Sequence, residues 1–385
     1  MGTRFKTNCP RDCYDGCGIE VDVQDDGDFR VLGDPDHPVS RGKLCPKCAV
    51  AYNGVWQDPE RRLTTPLKRI GAKGDGQFEP VSWEDALGDI ARRTNENLRS
   101  FGKHSLIHTH YSGTLSLLAY QFPNRLFNYL GASEVDPDTI CNAAGHVAWH
   151  FLYGNSVAGF DPRTIKDSNC LLIWGANPSH SAPHAHEHWV PSCGGKVVVI
   201  DPIKTESARA ADIHLQLRPG TDAIMAFALI RELRELGAWD QAFIDNHTLG
   251  ADELTAEIEA MDLERASDIT GVSVALIRAA ASAYAAGPAL LWCGQGLQRQ
   301  AQGGNIMRAI GLLPAYTGNV GKAGAGFYYL NYTPAFAGID LDYIAGSDLT
   351  HEDKVSVSHM DFAARLAGAK EFKTLFSWNT NPLAS

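Results

Sequence analysis

Three cysteines lie close together near the start of the chain, in the segment NCPRDCYDGC. Cys9, Cys13 and Cys17 are each separated by three residues, and Cys45 follows at a distance. Three thiolates from one short loop and a fourth from a distant part of the sequence suit a [4Fe–4S] cube. The ligands of such a cube must lie close together but need not be evenly spaced in the sequence. The spacing therefore favours an iron–sulfur cluster held by these four residues.

Zinc is the alternative metal that these cysteines could bind. Structural zinc sites usually combine two C-x-x-C pairs, and only the segment CPKC at 45–48 has that spacing. A triple cysteine with three-residue gaps matches zinc less well. We therefore interpret Cys48, the fifth candidate for four positions, as a buried thiol that takes no part.

The overall composition limits the classes of protein to which this chain can belong. The chain has 385 residues, 44% of them hydrophobic and 21% charged, which predicts a globular protein of two or three domains. Its net charge of −11 argues against broad binding to nucleic acid or anionic membranes. It has no apolar run long enough for a membrane span, and its N-terminus resembles no signal peptide, so we expect a cytoplasmic protein. In that reducing compartment, clustered cysteines are more often metal ligands than disulfides.

Four short apolar runs are each followed by a polar turn. They are CLLIW (170–174) before GANP, KVVVI (196–200) before DP, IHLQL (213–217) before RPGTD, and ALLW (289–292) before CGQG. Apolar strands alternating with helices predict an α/β fold with doubly wound, mostly parallel sheets, preceded by a small N-terminal iron–sulfur domain. Ligands of such sheets bind at the carboxyl ends of the strands, where these turns lie.

The domain boundaries follow from changes in composition. Residues 1–62 are rich in cysteine, glycine and proline, and a turn-rich linker precedes Ser82. Ser82 and Asp85 form a capping-box pattern that begins a helix. The apolar stripe of that helix consists of Trp83, Leu87, Ile90, Ala91 and Leu98. We predict a [4Fe–4S] domain at 1–62, a first α/β domain at 63–135 with 325–385, and a second α/β domain at 136–324.

The four turns carry glycine, amide and carboxylate groups at the edge where such sheets bind their ligands. Backbone N–H groups near glycines bind pyrophosphate, and carboxylates accept from ribose or purine. The candidates are Gly175, Asn177, Pro178, Asp201, Gly220, Asp222, Gly294 and Gly296. Such residues also end many α/β strands for structural reasons alone. The sequence has no G-x-G-x-x-G, so the nicotinamide-type fingerprint is absent.

Taken in order, the motifs resemble the dimethyl sulfoxide reductase family, the molybdenum- or tungsten-containing oxidoreductases with a bis(molybdopterin guanine dinucleotide) cofactor. The resemblance covers essentially the whole chain. It is carried by CPRDCYDGC, GDPDHPVSRGKLCPK, VSWEDAL, LLIWGANP, VIDPIKTESARAADIHLQLRPGTD, DITGV and LLPAYTGNVGKAGAGF. It implies a [4Fe–4S] cluster on Cys9, Cys13, Cys17 and Cys45, and dinucleotide-binding sheets whose contacts with the cofactor lie at the four turns. It also implies that Lys47 lies between cluster and pterin and favours electron transfer between them.

The resemblance further implies a protein ligand to the metal, located before the GANP turn. Cys141, in DPDTICNAAGH, fits best, and a thiolate is a soft ligand suited to such a metal. A buried cysteine without a ligand role is the alternative. Asp136 and Asp138 are the other candidate ligands.

Several histidines lie near these motifs. His146 and His150 have helical spacing after Cys141 and could face the substrate, with ordinary core or surface histidines as the alternative. The four histidines of HSAPHAHEHW lack the H-E-x-x-H pattern, so we interpret them as the start of a helix and surroundings of the cofactor. The formate-dehydrogenase pattern has a histidine after the ligand and a later arginine. Here Asn142 follows Cys141 and GAGFYYLNYTPAF has no arginine, which argues against formate oxidation.

The resemblance thus predicts a two-electron, oxygen- or sulfur-centred transfer on a small molecule, with electrons passing through the cluster to a redox partner protein or iron–sulfur subunit. Family members extend further and close over a second pterin, so we expect a fragment or one part of a split protein, completed by a missing C-terminal pterin-binding domain. The alternatives are a non-redox hydratase or transhydroxylase on the same cofactor, and a non-catalytic iron–sulfur electron-transfer subunit.

Overall fold

The structure is a computed structural model that describes residues 3–11, 13–113, 116–137, 140–156, 161–330, 338–368 and 370–382. The chain divides into two compact units. The first comprises Met1–Asp12, Gly16–Ile140 and Gly338–Ser385, and the second comprises Cys13–Asp15 and Cys141–Ala337. The division into three domains that the sequence suggests stays a prediction.

The elements of the described residues alternate between strands and helices along most of the chain. The strands are β1 (Thr3–Asn8), β2 (Gly18–Val23), β3 (Phe29–Gly33), β4 (Leu67–Arg69), β5 (Phe78–Pro80), β6 (Leu106–His110), β7 (Ser133–Asp136), β8 (Cys170–Trp174), β9 (Lys196–Ile200), β10 (Ile213–Leu215), β11 (Ala289–Cys293), β12 (Gly326–Tyr328), β13 (Ser356–Ser358) and β14 (Thr374–Trp378). The α-helices are α1 (Pro46–Val50), α2 (Trp83–Phe101), α3 (Leu117–Tyr120), α4 (Asn124–Leu130), α5 (Ala143–Tyr153), α6 (Pro178–Ser181), α7 (Pro183–His188), α8 (Glu206–Ala210), α9 (Asp222–Glu235), α10 (Gln241–His247), α11 (Ala251–Glu259), α12 (Leu263–Thr270), α13 (Val274–Ala285), α14 (Gly303–Tyr316), α15 (Leu341–Ala345) and α16 (His359–Gly368). A π-helical turn covers Ala51–Val55, and 3-10 turns cover Lys103–Ser105, Pro162–Asp167, Val190–Ser192, Gln295–Gln298 and Ser347–Leu349.

The first unit contains two main sheets. Strands β1, β2 and β3 form an antiparallel sheet in which Asn8 lies opposite Gly18. A second sheet has the order β13-β7-β6-β14, and every pair in it is parallel. Strand β6 lies inside that sheet and is buried along its whole length.

The second unit is built on a five-stranded parallel sheet with the order β10-β9-β8-β11-β12. Alternate residues of β8 face opposite sides of the sheet. Leu172 and its same-face neighbours pack with residues of α9, α13 and α14, whereas Leu171 and Ile173 pack with residues of α7 and α8. Helices therefore cover both faces, which is why β8 is uniformly apolar.

The four apolar runs of the sequence correspond to β8, β9, β10 and β11. β8 and β9 match the predicted bounds, β10 is two residues shorter and β11 is one residue longer. Because the strands are parallel, their carboxyl ends meet at one edge of the sheet and bring the four turns to that edge. The prediction of an α/β fold with mostly parallel sheets is confirmed.

Helix α2 begins where the capping pattern predicts. The Ser82 hydroxyl accepts the N–H of Asp85 at 3.1 Å and donates to the Asp85 carboxylate at 2.7 Å. The apolar stripe is present on this helix, but Trp83 is 68% exposed and Leu87 58% exposed. The cap thus determines where the helix starts, whereas the stripe contributes little to the core of the described residues. Among the described helices, none combines the length and the apolar character needed to cross a bilayer.

Candidate functional site

Four cysteine thiols come together in a buried core of the first unit. The pairing of Asn8 with Gly18 places Cys9 and Cys17 side by side at the ends of β1 and β2, and the Cys9 N–H donates to the Cys17 carbonyl at 2.8 Å. Cys45 and Cys48 lie at the start of α1 and pack into the same cluster. The cysteines of this core offer four sulfur atoms, and sulfur is the donor that iron–sulfur clusters require.

Cys48 lies between two of the predicted ligands. Its Sγ is 3.5 Å from the Sγ of Cys9 and 3.5 Å from the Sγ of Cys45. The sequence predicted a buried thiol here, and Cys48 is buried, but it lies inside the thiol cluster rather than away from it. The C-x-x-C spacing of residues 45–48 was the signal for this proximity.

The contacts within this cluster favour an anionic sulfur at Cys9. Its pKa is lowered chiefly because it accepts a hydrogen bond from Cys48, and the Tyr52 hydroxyl, 2.9 Å from its Sγ, lowers the pKa further. The same contact with Cys9 raises the pKa of Cys48, and burial adds to that increase. Because the thiolate is the form that binds metals, the core is suited to receive a cluster.

The remaining predicted ligand, Cys13, is half-buried and belongs to the short segment Cys13–Asp15 of the second unit. The buried carboxylate of Asp15 accepts the N–H groups of His184 at 2.9 Å and Ala185 at 2.8 Å, and it lies 3.2 Å from Nδ1 of His184. The Tyr14 hydroxyl donates to the Tyr329 carbonyl at 2.8 Å. These contacts fix the backbone that follows Cys13.

We expect Asp15→Ala to loosen this segment. The substitution removes the acceptor of two buried N–H groups and the carboxylate that lies beside the His184 ring, which should lower the free energy of unfolding by about 3 kcal/mol. Iron content should fall with it, because Cys13 is a predicted ligand. Thermal unfolding and iron analysis would measure both effects. Asp26→Ala, in the exposed turn between β2 and β3, should change neither. Unchanged iron and stability in Asp15→Ala would contradict the anchoring role.

A second group of residues surrounds Cys141 in the second unit. Cys141 is half-buried and precedes α5, and Nη2 of Arg299 lies 3.9 Å from its Sγ. The side-chain amide of Gln298 donates to the Cys141 carbonyl at 2.6 Å and lies 2.7 Å from the hydroxyl of Tyr329. Its oxygen accepts the N–H of Gly145 at 2.6 Å. Gln298 therefore holds both the cysteine backbone and the first turn of α5.

The charges around Cys141 favour a coordinating thiolate. The guanidinium of Arg299 is positive, and the amino end of α5 carries the partial positive charge of the helix dipole. Sequence reasoning missed both Arg299 and Gln298. They follow the CGQG turn at the carboxyl end of β11, and that position was the available signal.

The other candidates near Cys141 occupy different environments. His146 is half-buried on α5, with Nδ1 2.6 Å from the Ser156 hydroxyl and its ring edge-on to Tyr329. His150 lies one turn further along α5 and is exposed. Asp136 ends β7 in the first unit, and Asp138 lies outside the described residues. Of the candidate metal ligands, Cys141 is thus the one that the structure places beside Arg299 and Gln298.

The turns after β8 and β11 lie against one another. Gly175 has a φ of 59°, and a Cβ on Gly294 would lie 1.8 Å from the Gly175 carbonyl oxygen. Asn177 and Pro178 begin α6, and the Asn177 amide oxygen accepts from the Ser179 hydroxyl at 2.6 Å. The N–H of Gly175 donates to the Ile200 carbonyl at 2.9 Å and that of Gly294 donates to the Trp174 carbonyl at 2.8 Å, so these two glycines let the turns pack closely.

The two predicted acidic residues at this edge are both buried. Asp201 accepts the N–H of Ile203 at 2.9 Å, and burial raises its pKa. Asp222 begins α9 and accepts the indole N–H of Trp174 at 2.9 Å and the amide of Gln300 at 3.3 Å. Gly220 has a φ of 85° in the turn before α9, and Gly296 lies in the 3-10 turn after β11. Binding of a dinucleotide by these residues stays a prediction.

Gly294→Ala should disrupt this edge of the sheet. Its new Cβ has no room beside the Gly175 carbonyl, so the two turns must separate, at a cost of about 2 kcal/mol in the free energy of unfolding. Gly296→Ala is the matched control, because its Cβ would lie 3.9 Å from that same oxygen, in ordinary contact. Thermal unfolding would show the difference. Equal stability of the two variants would mean that the turns do not pack this closely.

Comparison with known proteins identifies the family. The profile described as molybdopterin oxidoreductase matches residues 62–385, and the profile described as molybdopterin oxidoreductase Fe4S4 domain matches residues 3–55. The chain belongs to the molybdopterin oxidoreductase family. The predicted resemblance to dimethyl sulfoxide reductases is thereby confirmed, together with molybdopterin and a [4Fe–4S] cluster as its cofactors. The zinc alternative for the N-terminal cysteines is no longer favoured.

Curated relatives of this chain have several activities. It is 35% identical to the probable oxidoreductase YoaE of Bacillus subtilis, over 84% of this chain and 47% of that protein. It is 31% identical to formate dehydrogenase H of Escherichia coli, over 83% of this chain and 45% of that protein. It is 30% identical to dimethyl sulfoxide reductase DmsA of E. coli, over 82% of this chain and 43% of that protein.

A solved structure has the same fold. Acetylene hydratase from Pelobacter acetylenicus superposes with a TM-score of 0.68 at 26% identity, over 83% of this chain and 44% of that one. The chain spans about half the length of the relatives that it matches. The four cysteines in the core of the first unit fit the iron–sulfur cluster of the family, and the thiol of Cys141 fits a soft metal ligand.

Proposed function

We propose that this molybdopterin oxidoreductase catalyses a two-electron, oxygen- or sulfur-centred transfer on a small molecule, with Cys141 as the protein ligand of molybdenum or tungsten. The arrangement of Cys141 supports the proposal. Its sulfur lies beside a guanidinium and an amino helix end, and Gln298 fixes its backbone. This combination is expected of a metal-binding thiolate rather than of a cysteine that only fills the core.

When bound, the molybdopterin centre supplies the two-electron redox change, and the cluster supplies one-electron transfer. The residues of the chain bind and orient these groups. In this proposal Cys9, Cys13, Cys17 and Cys45 hold the cluster. The glycine turns after β8 and β11 hold a guanine dinucleotide, and the resemblance implies a second pterin to complete the bis(molybdopterin guanine dinucleotide) cofactor.

Charged and proton-carrying side chains complete the proposed site. Lys47 is exposed on α1, two residues after Cys45, where its ammonium would favour an electron on the anionic cluster. Arg299 attracts an anionic or strongly polar substrate group toward Cys141. His146, half-buried beside Tyr329, can exchange a proton with the substrate. Electrons then leave to a redox partner protein or iron–sulfur subunit.

Formate is not the substrate in this proposal. In the sequence, no histidine follows Cys141 directly, and the segment GAGFYYLNYTPAF has no arginine. Arg299 weakens the second point, because it supplies a guanidinium 3.9 Å from the Cys141 sulfur from a different segment. Asn142 remains the difference, since it has no titratable group to accept a proton.

The experiment that tests this proposal uses the anaerobically purified protein and a low-potential dye. Reduced dye should be reoxidised by one or more S-oxides, N-oxides or polysulfides, and formate should not reduce the oxidised dye. Rapid dye reduction by formate would overturn the exclusion of formate. Failure of every oxygen- and sulfur-centred acceptor in a preparation that contains molybdenum or tungsten would overturn the proposed reaction.

A non-redox hydratase is the second candidate, and the similarity to acetylene hydratase favours it. Addition of water to a substrate needs no external electron acceptor. Turnover that continues in the absence of any dye or partner, with the metal held in one oxidation state, would support the hydratase. Turnover that depends strictly on a redox dye would support the oxidoreductase.

A further inference from the structure

Two histidines and a glutamate lie together on the parallel sheet of the first unit. In the sequence they are far from the cysteines of the sulfur core. His108 and His110 are two residues apart on β6, so their side chains share one face of the sheet. Glu134, on the adjacent strand β7, is the register partner of His108. The ligand-type atoms of the three side chains all lie within 4.8 Å of one another.

Both imidazoles are buried with polar atoms that lack partners. His108 is 1% exposed and His110 is 2% exposed. Both nitrogens of His108 and Nδ1 of His110 have no hydrogen-bond partner among the described residues. Leaving a buried polar group unsatisfied costs about 1–3 kcal/mol. A ligand that uses these nitrogens would remove that cost.

The rings are held in place by aromatic neighbours. The His108 ring stacks on Phe127 at 4.6 Å and on Trp378 at 5.2 Å, and the His110 ring stacks on Trp378 at 4.4 Å with an interplanar angle of 4°. The stack fixes the directions in which the nitrogens point. Such fixed imidazoles lose little conformational entropy when they bind a ligand.

The carboxylate of Glu134 already has one cationic partner. The Lys354 ammonium lies 2.5 Å from Oε2 of Glu134 and 3.1 Å from the amide oxygen of Asn128. The ion pair engages one carboxylate oxygen, and a carboxylate has two oxygens that can bind. The group therefore retains capacity for a second cation on the side of the histidines.

We propose that His108, His110 and Glu134 form a binding site for a divalent transition metal of the zinc class, made of side chains that neither the sulfur core nor the Cys141 pocket uses. Two imidazoles and one carboxylate suit zinc or a similar ion, whereas calcium and magnesium require mainly oxygen ligands. A metal there cross-links β6 to β7 and satisfies the unpaired nitrogens. Its role is to stabilise the sheet of the first unit.

The test compares metal binding in the wild type with that in His108→Phe and His110→Phe. Phenylalanine keeps the aromatic stack with Phe127 and Trp378 and removes the nitrogens. The proteins are treated with a chelator that leaves the iron content unchanged and are then titrated with zinc chloride. We expect the wild type to bind one equivalent more zinc than either variant and to show a zinc-dependent rise in Tm that both variants lose.

Two controls separate this site from other sources of zinc. His104→Gln alters a partly exposed histidine of the same unit and should bind zinc like the wild type. Cobalt(II) in place of zinc should give weak visible bands of nitrogen and oxygen ligation, whereas binding at vacant cysteines would give intense thiolate charge-transfer bands. If the phenylalanine variants fail to fold, Glu134→Gln serves instead, and it should lose the same equivalent.

The proposal is overturned if zinc stoichiometry and the zinc-dependent Tm are the same in wild type, His108→Phe and Glu134→Gln. A higher Tm of His108→Phe in the absence of metal, with no effect of zinc on the wild type, would also overturn it. That result would show that the imidazole rings contribute to the aromatic stack and bind no metal. Cobalt bands of thiolate type alone would assign the metal to the cysteines and also overturn it.

Discussion

Cys141→Ala should reduce turnover by about a hundredfold or more, which corresponds to about 3 kcal/mol in the activation free energy. The substitution removes the proposed protein ligand of the metal and leaves the guanidinium of Arg299 without its sulfur partner. The N-terminal thiols are unaffected, so the absorbance of the iron–sulfur cluster should stay unchanged. Cys141→Ser, which keeps a harder oxygen ligand, should retain more activity and alter the electron paramagnetic resonance signal of the metal.

Cys193→Ala is the matched control for this prediction. Cys193 is also a half-buried cysteine of the second unit, and its thiol contacts the Ser168 carbonyl rather than a charged group. Its replacement should change neither turnover nor the metal signal. Full activity and an unchanged metal signal in Cys141→Ala would show that Cys141 is not the ligand. A non-catalytic electron-transfer subunit would be indifferent to the substitution because it has no turnover to lose.

Cys45→Ala should remove most of the iron from the protein. Cys45 is a predicted cluster ligand, and its thiol lies in the cysteine core beside Cys48. A [4Fe–4S] cluster that lacks one of its four ligands is held less tightly, so we expect most of it to be lost during purification. Iron analysis and the visible absorbance of anaerobically prepared protein would measure the loss. The unfolding temperature should fall with the iron, because ligand binding stabilises the folded state.

Cys48→Ala is the closest available comparison for Cys45→Ala. Its thiol lies 3.5 Å from the sulfur of Cys9, a predicted ligand, and can donate its one S–H hydrogen bond to that sulfur. Without that donor, we expect the cluster to persist with a lower reduction potential, since sulfur-directed hydrogen bonds stabilise the reduced form. Loss of iron in Cys48→Ala together with retention in Cys45→Ala would exchange the roles of the two cysteines.

The local features of this fold could be predicted from the sequence. The apolar runs predict β8 and β9 residue for residue because strands buried on both faces have few polar positions, and the one charged residue of β9, Lys196, lies at its exposed start. The Ser82 cap predicts the start of α2 for a similarly local reason, namely that its hydroxyl accepts an N–H three residues later. The spacing of the first cysteines predicts a common site because two of them flank a single hairpin.

The parts that could not be predicted depend on contacts between distant residues. Gln298 reaches Cys141 across 157 positions of the sequence, and no local pattern marks that pair. The buried carboxylate of Asp15 accepts two backbone N–H groups at the start of α7, which is distant in the sequence. The alternation in LIHTH suggests histidines on a solvent-exposed face, yet aromatic rings from α4 and β14 cover both of them. The apolar face of α2 is the converse case, because its pattern predicts burial and the described residues leave it largely exposed.

The most direct test is metal and pterin analysis of the protein purified without oxygen from cells that make the molybdenum cofactor. We expect a brown protein whose absorbance bleaches on reduction, with iron, with molybdenum or tungsten, and with a fluorescent pterin released by acid. A colourless protein with zinc on the N-terminal cysteines, and with neither pterin nor molybdenum nor tungsten, would contradict the assignment of both cofactors.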